Sequence, residues 1–125
     1  MKNLLLFAIT IGFLFTSCKR THFVPIKEIY KARFEIAGIC SNYTFTLLQG
    51  ELDLSLIEKE WINPQTGKTY AYAFGIINPC QLPTNLKQGD EFYFTILKPE
   101  DIRSCMVCEA YYPTPEKKLA IRVLQ

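Results

Sequence analysis

The sequence predicts an all-β domain of five or six strands that is stabilised by disulfides. After residue 28, apolar and polar residues alternate with a period of two, which is typical of strands that bury one face. No long window shows a helical period, and short segments rich in proline or glycine separate the alternating runs. Four cysteines lie among these runs, in a chain short enough for covalent links to add useful stability.

The first alternating run starts at Ile29, and Gly38 ends it. A second run covers 43–47, and three leucines within 52–56 continue the alternation in the opposite phase. The phase changes at 49–51, where either a bulge or a turn at Gly50 would account for it. The residues predicted to face inward in the two runs are Tyr30, Ala32, Phe34, Ile36, Tyr43, Phe45 and Leu47.

Clear turns bound the later strands. Asn63-Pro64-Gln65-Thr66-Gly67 predicts a hairpin loop, because proline presets a turn and glycine accepts a positive φ. The return strand covers 69–77, and two prolines within 78–83 end it. Further strands are predicted at 89–96 and 118–124. Their inward residues are Tyr70, Tyr72, Phe74, Ile76, Phe92, Phe94, Ile96, Leu119, Ile121 and Val123.

The N-terminal residues have the layout of a secretory signal. Lys2 is followed by an apolar run over 4–15 and by the small residues Thr16-Ser17, directly before Cys18. This run is too short for a membrane-spanning helix, which needs about 20 apolar residues. Cleavage near Ser17 in an ordinary secreted protein is the second alternative, and it would leave Cys18 as a stray thiol.

A cysteine in this position resembles the lipobox of bacterial lipoproteins. The resemblance implies that residues 1–17 are removed and that Cys18 becomes the first residue of the mature chain, acylated with lipid such as palmitate. Cysteine parity agrees with this interpretation. The chain has five cysteines, and assigning Cys18 to the lipid leaves an even number in a compartment where disulfides persist.

We therefore expect a signal peptide at 1–17, a lipidated tether at 18–27 and one domain at 28–125. Some lipoproteins of the Bacteroidetes type carry an acidic run after the lipidated cysteine, which marks export to the outer face. The basic pair Lys19-Arg20 stands there instead, where it can interact with anionic lipid. The expected location is the cell envelope, on the periplasmic side of the outer membrane, with the membrane itself as a partner.

A series of short motifs follows in the mature chain: Cys40 before Asn42-Tyr43-Thr44-Phe45, then Leu82-Pro83, Gly89-Asp90, Ser104-Cys105-Met106 and Lys117-Lys118-Leu119-Ala120-Ile121. This order is similar to that of small single-domain Bacteroidetes lipoproteins with an OB-like barrel, a fold that binds oligonucleotides and oligosaccharides. The resemblance implies a five- to six-stranded OB-like β-barrel. Most of segment 51–68 has no counterpart in that pattern, and Cys80 and Cys108 have none either.

The same resemblance implies a disulfide between the early cysteine and the cysteine of the Cys-Met step, here Cys40 and Cys105. Cys80 and Cys108 then remain for a second disulfide. If 43–62 is one long bulged strand, all four cysteines lie at one end of the barrel and both pairs can form. If Gly50 makes a turn, Cys40 and Cys80 separate, and the second pairing loses this support.

Cys105-Met106-Val107-Cys108 also has the C-x-x-C spacing of thiol–disulfide oxidoreductases. In those enzymes the motif opens a helix whose dipole lowers the thiol pKa, whereas here it lies between strands and beside Glu109. Redox activity is therefore a minor alternative. A four-cysteine zinc site is disfavoured, because only one C-x-x-C is present and the expected compartment oxidises thiols.

Few side chains are suited to catalysis. The only histidine, His22, lies in the tether, so a paired nucleophile and histidine is not available. The carboxylates lack calcium-loop spacing, and the glycines are scattered. We therefore expect no catalytic residues, no metal and no cofactor. The formal net charge of +2 gives no electrostatic case for a nucleic-acid partner.

Three aromatic residues are the only indication of recognition: Trp61 beside the hairpin loop, and Tyr111 and Tyr112 before the last strand. Ligands of OB-like barrels dock on these loops and on the early strands, although the same residues could instead cap the barrel ends. The sequence thus favours a lipid-anchored envelope protein that acts as a non-catalytic binding or interaction module, with an envelope protein or a glycan as partner. A structural or accessory subunit of an envelope complex is the main alternative.

Overall fold

The structure, a computed structural model, describes residues 27–125. The predicted signal peptide and the tether up to residue 26, including Cys18 and His22, lie outside the described residues. Within the described part, no helix is long and apolar enough to cross a membrane. The strands are β1 (Tyr30–Ala37), β2 (Tyr43–Gln49), β3 (Glu58–Ile62), β4 (Thr69–Ile76), β5 (Glu91–Ile96), β6 (Lys118–Leu119) and β7 (Ile121–Leu124).

The all-β prediction is confirmed, and all seven strands belong to one sheet. Their hydrogen-bonded order is β3-β4-β2-β1-β5-β7, with β6 beside β4 and off this path. The two ends of this order, β3 and β7, do not pair with each other, so the described sheet is not closed as the expected barrel would be. Every pair is antiparallel except β4 with β6. The expected number of five or six strands was too low, because β3 is a separate strand on β4 and Ala120 divides the last predicted strand into β6 and β7.

Residues 50–57 leave the sheet between β2 and β3 and connect the two strands as a loop. Gly50 has a φ of 98°, and a Cβ atom there would lie 2.5 Å from the ring of Tyr30, so only glycine fits. The alternating leucines of this segment therefore do not form a strand, and Leu54 and Leu56 are exposed. The turn interpretation of the phase change is the correct one.

The core consists of aromatic and aliphatic side chains from the inner faces of the strands. Period-two alternation identified most of them correctly. One exception is Tyr72, which is 43% exposed and has a φ of 53°, so that the alternation of β4 breaks there. A second departure is the burial of Thr44 and Thr46, which the alternation of β2 places on its outer face.

Ion pairs cover the outer face where β1 and β5 meet. The Arg33 guanidinium donates to the Glu91 carboxylate at 2.7 Å, and Lys31 lies 3.4 Å from the same carboxylate. The hydrogen bond from Arg33, followed by that from Lys31, lowers the pKa of Glu91. At the start of β1, burial and then a hydrogen bond to Glu28 raise the pKa of Tyr30 to about 12.

The buried side chain of Asn78 holds β7 in position. Its amide nitrogen donates to the carbonyl of Ile121 at 2.8 Å, and its amide oxygen accepts from the Ile121 N–H at 2.9 Å. Gln81 accepts a further hydrogen bond from the same amide nitrogen at 3.2 Å. One side chain therefore satisfies both backbone groups of a residue that lies in the core.

We expect Asn78→Ala to lower the free energy of unfolding by about 3 kcal/mol, because it leaves a buried N–H and a buried C=O without partners. Urea denaturation followed by circular dichroism measures this loss. Asn85→Ala, at an exposed asparagine of the same connecting loop, is the matched control and should change stability little. Equal effects of the two substitutions would contradict the role of Asn78.

Candidate binding groove

An open groove of about 420 Å³ lies between the end of β1, the loop joining β3 to β4, and the long segment that follows β5. Its wall contains two tyrosines together with amide, hydroxyl, carboxylate and ammonium groups. The residues that carry these groups are Tyr70, Tyr112, Asn63, Gln88, Thr66, Glu35 and Lys68.

A β-bulge brings Glu35 to the groove. Phe34 pairs with Phe45 and Ile36 pairs with Thr44, which leaves Glu35 as an extra residue on β1. Its carboxylate accepts a hydrogen bond from the Thr46 hydroxyl at 2.7 Å. Because that bond engages one carboxylate oxygen, the other oxygen is left to accept a hydrogen bond from a ligand.

The hairpin of β3 and β4 supplies an aromatic wall. Trp61 and Tyr70 are cross-strand partners, and their ring centroids lie 5.7 Å apart at an interplanar angle of 36°. The ammonium group of Lys68 lies 5.0 Å from the centroid of the Tyr70 ring. Tyr70 lines the groove directly, whereas Trp61 is half-buried behind it and supports its ring.

Tyr112 is held in place from two sides. The side-chain amide of Asn63, itself buried, donates to the Tyr112 hydroxyl at 3.2 Å. A Cβ atom at Gly38 would lie 3.0 Å from the Tyr112 ring and 2.4 Å from the carbonyl of Asn42, so the close approach of this ring depends on glycine. Tyr112 is therefore ordered before any ligand arrives, which lowers the entropic cost of binding.

Gln88 completes the opposite wall of the groove. Its side-chain oxygen accepts a hydrogen bond from the backbone N–H of Ala37 at 2.9 Å. This bond fixes the orientation of the amide, and the NH₂ group remains able to donate to a ligand.

Two disulfides hold the long segment after β5. Cys40 is bonded to Cys108 and Cys80 to Cys105, with Cα–Cα distances of 4.9 Å and 6.1 Å. All four predicted cysteines therefore form disulfides, but the expected pairs Cys40–Cys105 and Cys80–Cys108 are wrong.

Amide side chains explain the observed connectivity. Gln81 donates to the carbonyl of Asp101 at 3.0 Å and accepts from the N–H of Arg103 at 2.9 Å, which brings the following residues beside Cys80. Farther along, Asn42 donates to the carbonyl of Ala110 at 2.9 Å, which brings the segment beside Cys40. The segment therefore passes the two partner cysteines in this order along its length.

The same connectivity bears on the redox alternative. That alternative required Cys105 and Cys108 to form a bond with each other, as a C-x-x-C disulfide does. In the structure each of them is bonded to a distant cysteine, Cys105 to a cysteine 25 residues away and Cys108 to one 68 residues away. The two disulfides therefore link three loops of the fold.

The three aromatic residues predicted from the sequence lie at or near the groove but in different roles. Tyr112 lines it, Trp61 supports its wall, and Tyr111 is 78% exposed outside the lining. The alternation predicts an inward position for Tyr70, and nothing in the sequence indicates Glu35 or Gln88 for this site. The bulge at Glu35 leaves no signal in the alternation of β1, so only strand register identifies it.

No protein-family model, curated protein or solved structure matches this chain.

We expect the double substitution Cys80→Ser/Cys105→Ser to lower the free energy of unfolding by about 3 kcal/mol. The double substitution Cys40→Ser/Cys108→Ser should lower it by about 4 kcal/mol, because this disulfide closes the longer loop. Denaturant titration measures both losses. Peptide mapping without reduction, after cyanogen bromide has cleaved the chain at Met106 between Cys105 and Cys108, should recover the pairs 40–108 and 80–105. Recovery of 40–105 and 80–108 would contradict the connectivity and the positions assigned to Gln81 and Asn42.

Proposed function

We propose that this chain is a lipid-anchored, non-catalytic binding module of the cell envelope, and that the groove between Tyr70 and Tyr112 holds its ligand. The observation that carries the proposal is the combination of two ordered aromatic rings with several polar groups in one open groove. Ligand sites generally combine apolar or aromatic walls with a few fixed polar groups.

The chemistry of the groove favours a glycan among the possible ligands. Aromatic rings pack against the apolar C–H face of a sugar, and the carboxylate, amide and hydroxyl groups can bind its hydroxyls. Among the described residues 27–125, Lys68 is the only basic one in the lining, which is too little positive charge for a nucleic-acid backbone.

The OB-like barrel belongs to the same proposal. Its support is the set of pairings β1 with β2, β2 with β4, β4 with β6, β5 with β7 and β5 with β1, in which only β4 with β6 is parallel. The groove lies beside the loops after β1 and β5, which is where OB-like barrels bind oligosaccharides.

The position of the groove also fits an anchor at Cys18. The described chain starts at Lys27, three residues before β1 begins at Tyr30, and the groove lies at the other end of this strand. An eight-residue strand is about 25 Å long. A lipid at Cys18 on the periplasmic side of the outer membrane would attach to the domain through the end of β1 that lies away from the groove, so the anchor does not require the groove to face the bilayer.

The accessory-subunit alternative has an observation of its own. Met106 is 100% exposed, and Val107 and Tyr111 are also exposed on the segment that the disulfides hold. Exposed apolar residues on a rigid support are typical of protein–protein contacts. An envelope protein that binds this segment would be the partner in that case.

We expect a glycan array to identify a ligand whose affinity falls roughly thirtyfold in Tyr112→Ala, because removing a central aromatic contact costs about 2 kcal/mol. Calorimetry with the selected glycan measures the change. Tyr93→Ala, at an exposed tyrosine on β5, is the control and should leave the affinity unchanged. If no glycan binds while Met106→Ser releases a co-purifying envelope protein, the accessory role replaces the glycan-binding role.

We expect Cys18→Ser to abolish incorporation of radiolabelled palmitate and to shift the protein from the membrane fraction to the soluble fraction, because no acyl chain would remain to hold it. Membrane fractionation of cells that express both forms measures the shift. Mass spectrometry of the wild-type protein should find acylated Cys18 as the first residue. A chain that retains residues 1–17, or an unlabelled wild-type protein, would contradict lipid anchoring.

A further inference from the structure

A second groove lies at the opposite end of β1, where β2 and β4 separate. These strands pair from Thr44 with Gly75 to Thr46 with Ala73, and no pairing between them follows beyond that point. The end of β2 continues to pair with β1 through Gln49. Among the described residues, the side of β2 that faces β4 therefore has no strand partner beyond Thr46.

Two backbone irregularities lie where the strands separate. Leu48 is an extra residue in the register between β1 and β2, since Leu47 pairs with Ala32 and Gln49 with Lys31. On β4, Tyr72 has a φ of 53°, which is unfavourable for a bulky side chain. Such strain persists where the surrounding structure imposes it, and it is common at binding sites.

The space between the separated strands is a groove of about 470 Å³ with a largely apolar lining. Its border passes from the end of β2 through the connecting loop to Tyr72 on β4. The lining includes Leu47, Leu48, Leu52 and Leu54 together with Glu51 and Tyr72.

Loop 50–57, which borders this groove, is held in one conformation. The Asp53 carboxylate accepts from the N–H of Ser55 at 2.7 Å, and the Asp53 carbonyl accepts from the N–H of Leu56 at 2.9 Å. Lys117 donates to the carbonyl of Leu54 at 2.5 Å. The leucine side chains are therefore presented on an ordered loop, which favours a preformed site.

Glu51 is the one charged residue in this lining, and it forms no ion pair with any residue of the described range 27–125. A ligand that complements the groove should therefore combine apolar side chains with a positive charge. The side of β2 without a strand partner adds a requirement for backbone hydrogen-bonding groups.

From these observations we infer that the groove binds an extended segment of a partner protein, which adds as a strand to the open side of β2. Alternate apolar side chains of the segment enter the leucine-lined space, and a lysine or arginine pairs with Glu51. In this mode of recognition, main-chain hydrogen bonds supply affinity and side-chain pockets supply specificity. The site is separate from the proposed ligand groove at Tyr112 and does not depend on it.

The test is a fluorescence anisotropy titration of the full-length protein with the labelled peptide Lys-Val-Lys-Val-Lys-Val. We expect saturable binding that weakens at high salt, because one contact is ionic. A peptide with N-methyl groups on alternate amides should bind at least about tenfold more weakly, because it cannot complete the backbone ladder. The acidic analogue Glu-Val-Glu-Val-Glu-Val should not bind.

Variants separate this site from nonspecific adsorption. Tyr72→Gly removes the aromatic ring while glycine accepts the positive φ, so the variant should fold and lose peptide binding. Glu51→Gln should bind about fivefold more weakly with a smaller salt dependence, whereas the exposed control Glu100→Gln should bind normally.

Three outcomes overturn the inference: equal binding of the N-methylated peptide, unchanged binding in Tyr72→Gly, or no peptide binding to the wild-type protein. The last outcome counts against it even if residues 19–26 of the chain itself fill the groove.

Discussion

Phe45 lies at the centre of the core, and the arrangement of the strands depends on the aromatic contacts around it. This fully buried ring from β2 packs against Phe34 of β1, Phe74 of β4 and Phe92 of β5 at centroid distances of 4.7, 5.6 and 5.6 Å. Each partner lies on a different strand, so one side chain joins the inner faces of four strands. Burial of such rings is the largest favourable contribution available to a domain of this size.

A core of this kind fixes the strands but not the long segment between β5 and β6. That segment has little regular secondary structure and few buried residues, and chains of this length without such structure are usually functional or disordered. Here Gln81, Asn42 and the two disulfides attach it to the loops after β1 and β4. Because the segment is held in this way, Tyr112 can be an ordered wall of the groove.

The two grooves lie at opposite ends of β1, and a backbone irregularity accompanies each. The bulge at Glu35 directs a carboxylate to the groove between Tyr70 and Tyr112. The bulge at Leu48 and the positive φ of Tyr72 lie beside the second, leucine-lined groove.

The sequence by itself determined the all-β class, the inward residues of most strands and the cysteines that form disulfides, because alternation and cysteine parity are local or compositional signals. Tertiary structure alone decided which cysteines pair, since the amides of Gln81 and Asn42 order the long segment across the fold. Tertiary structure also decided which residues come together in each groove. Glu35, Tyr70 and Gln88 come from three separate elements, and their approach depends on strand register, which no local pattern in the chain encodes.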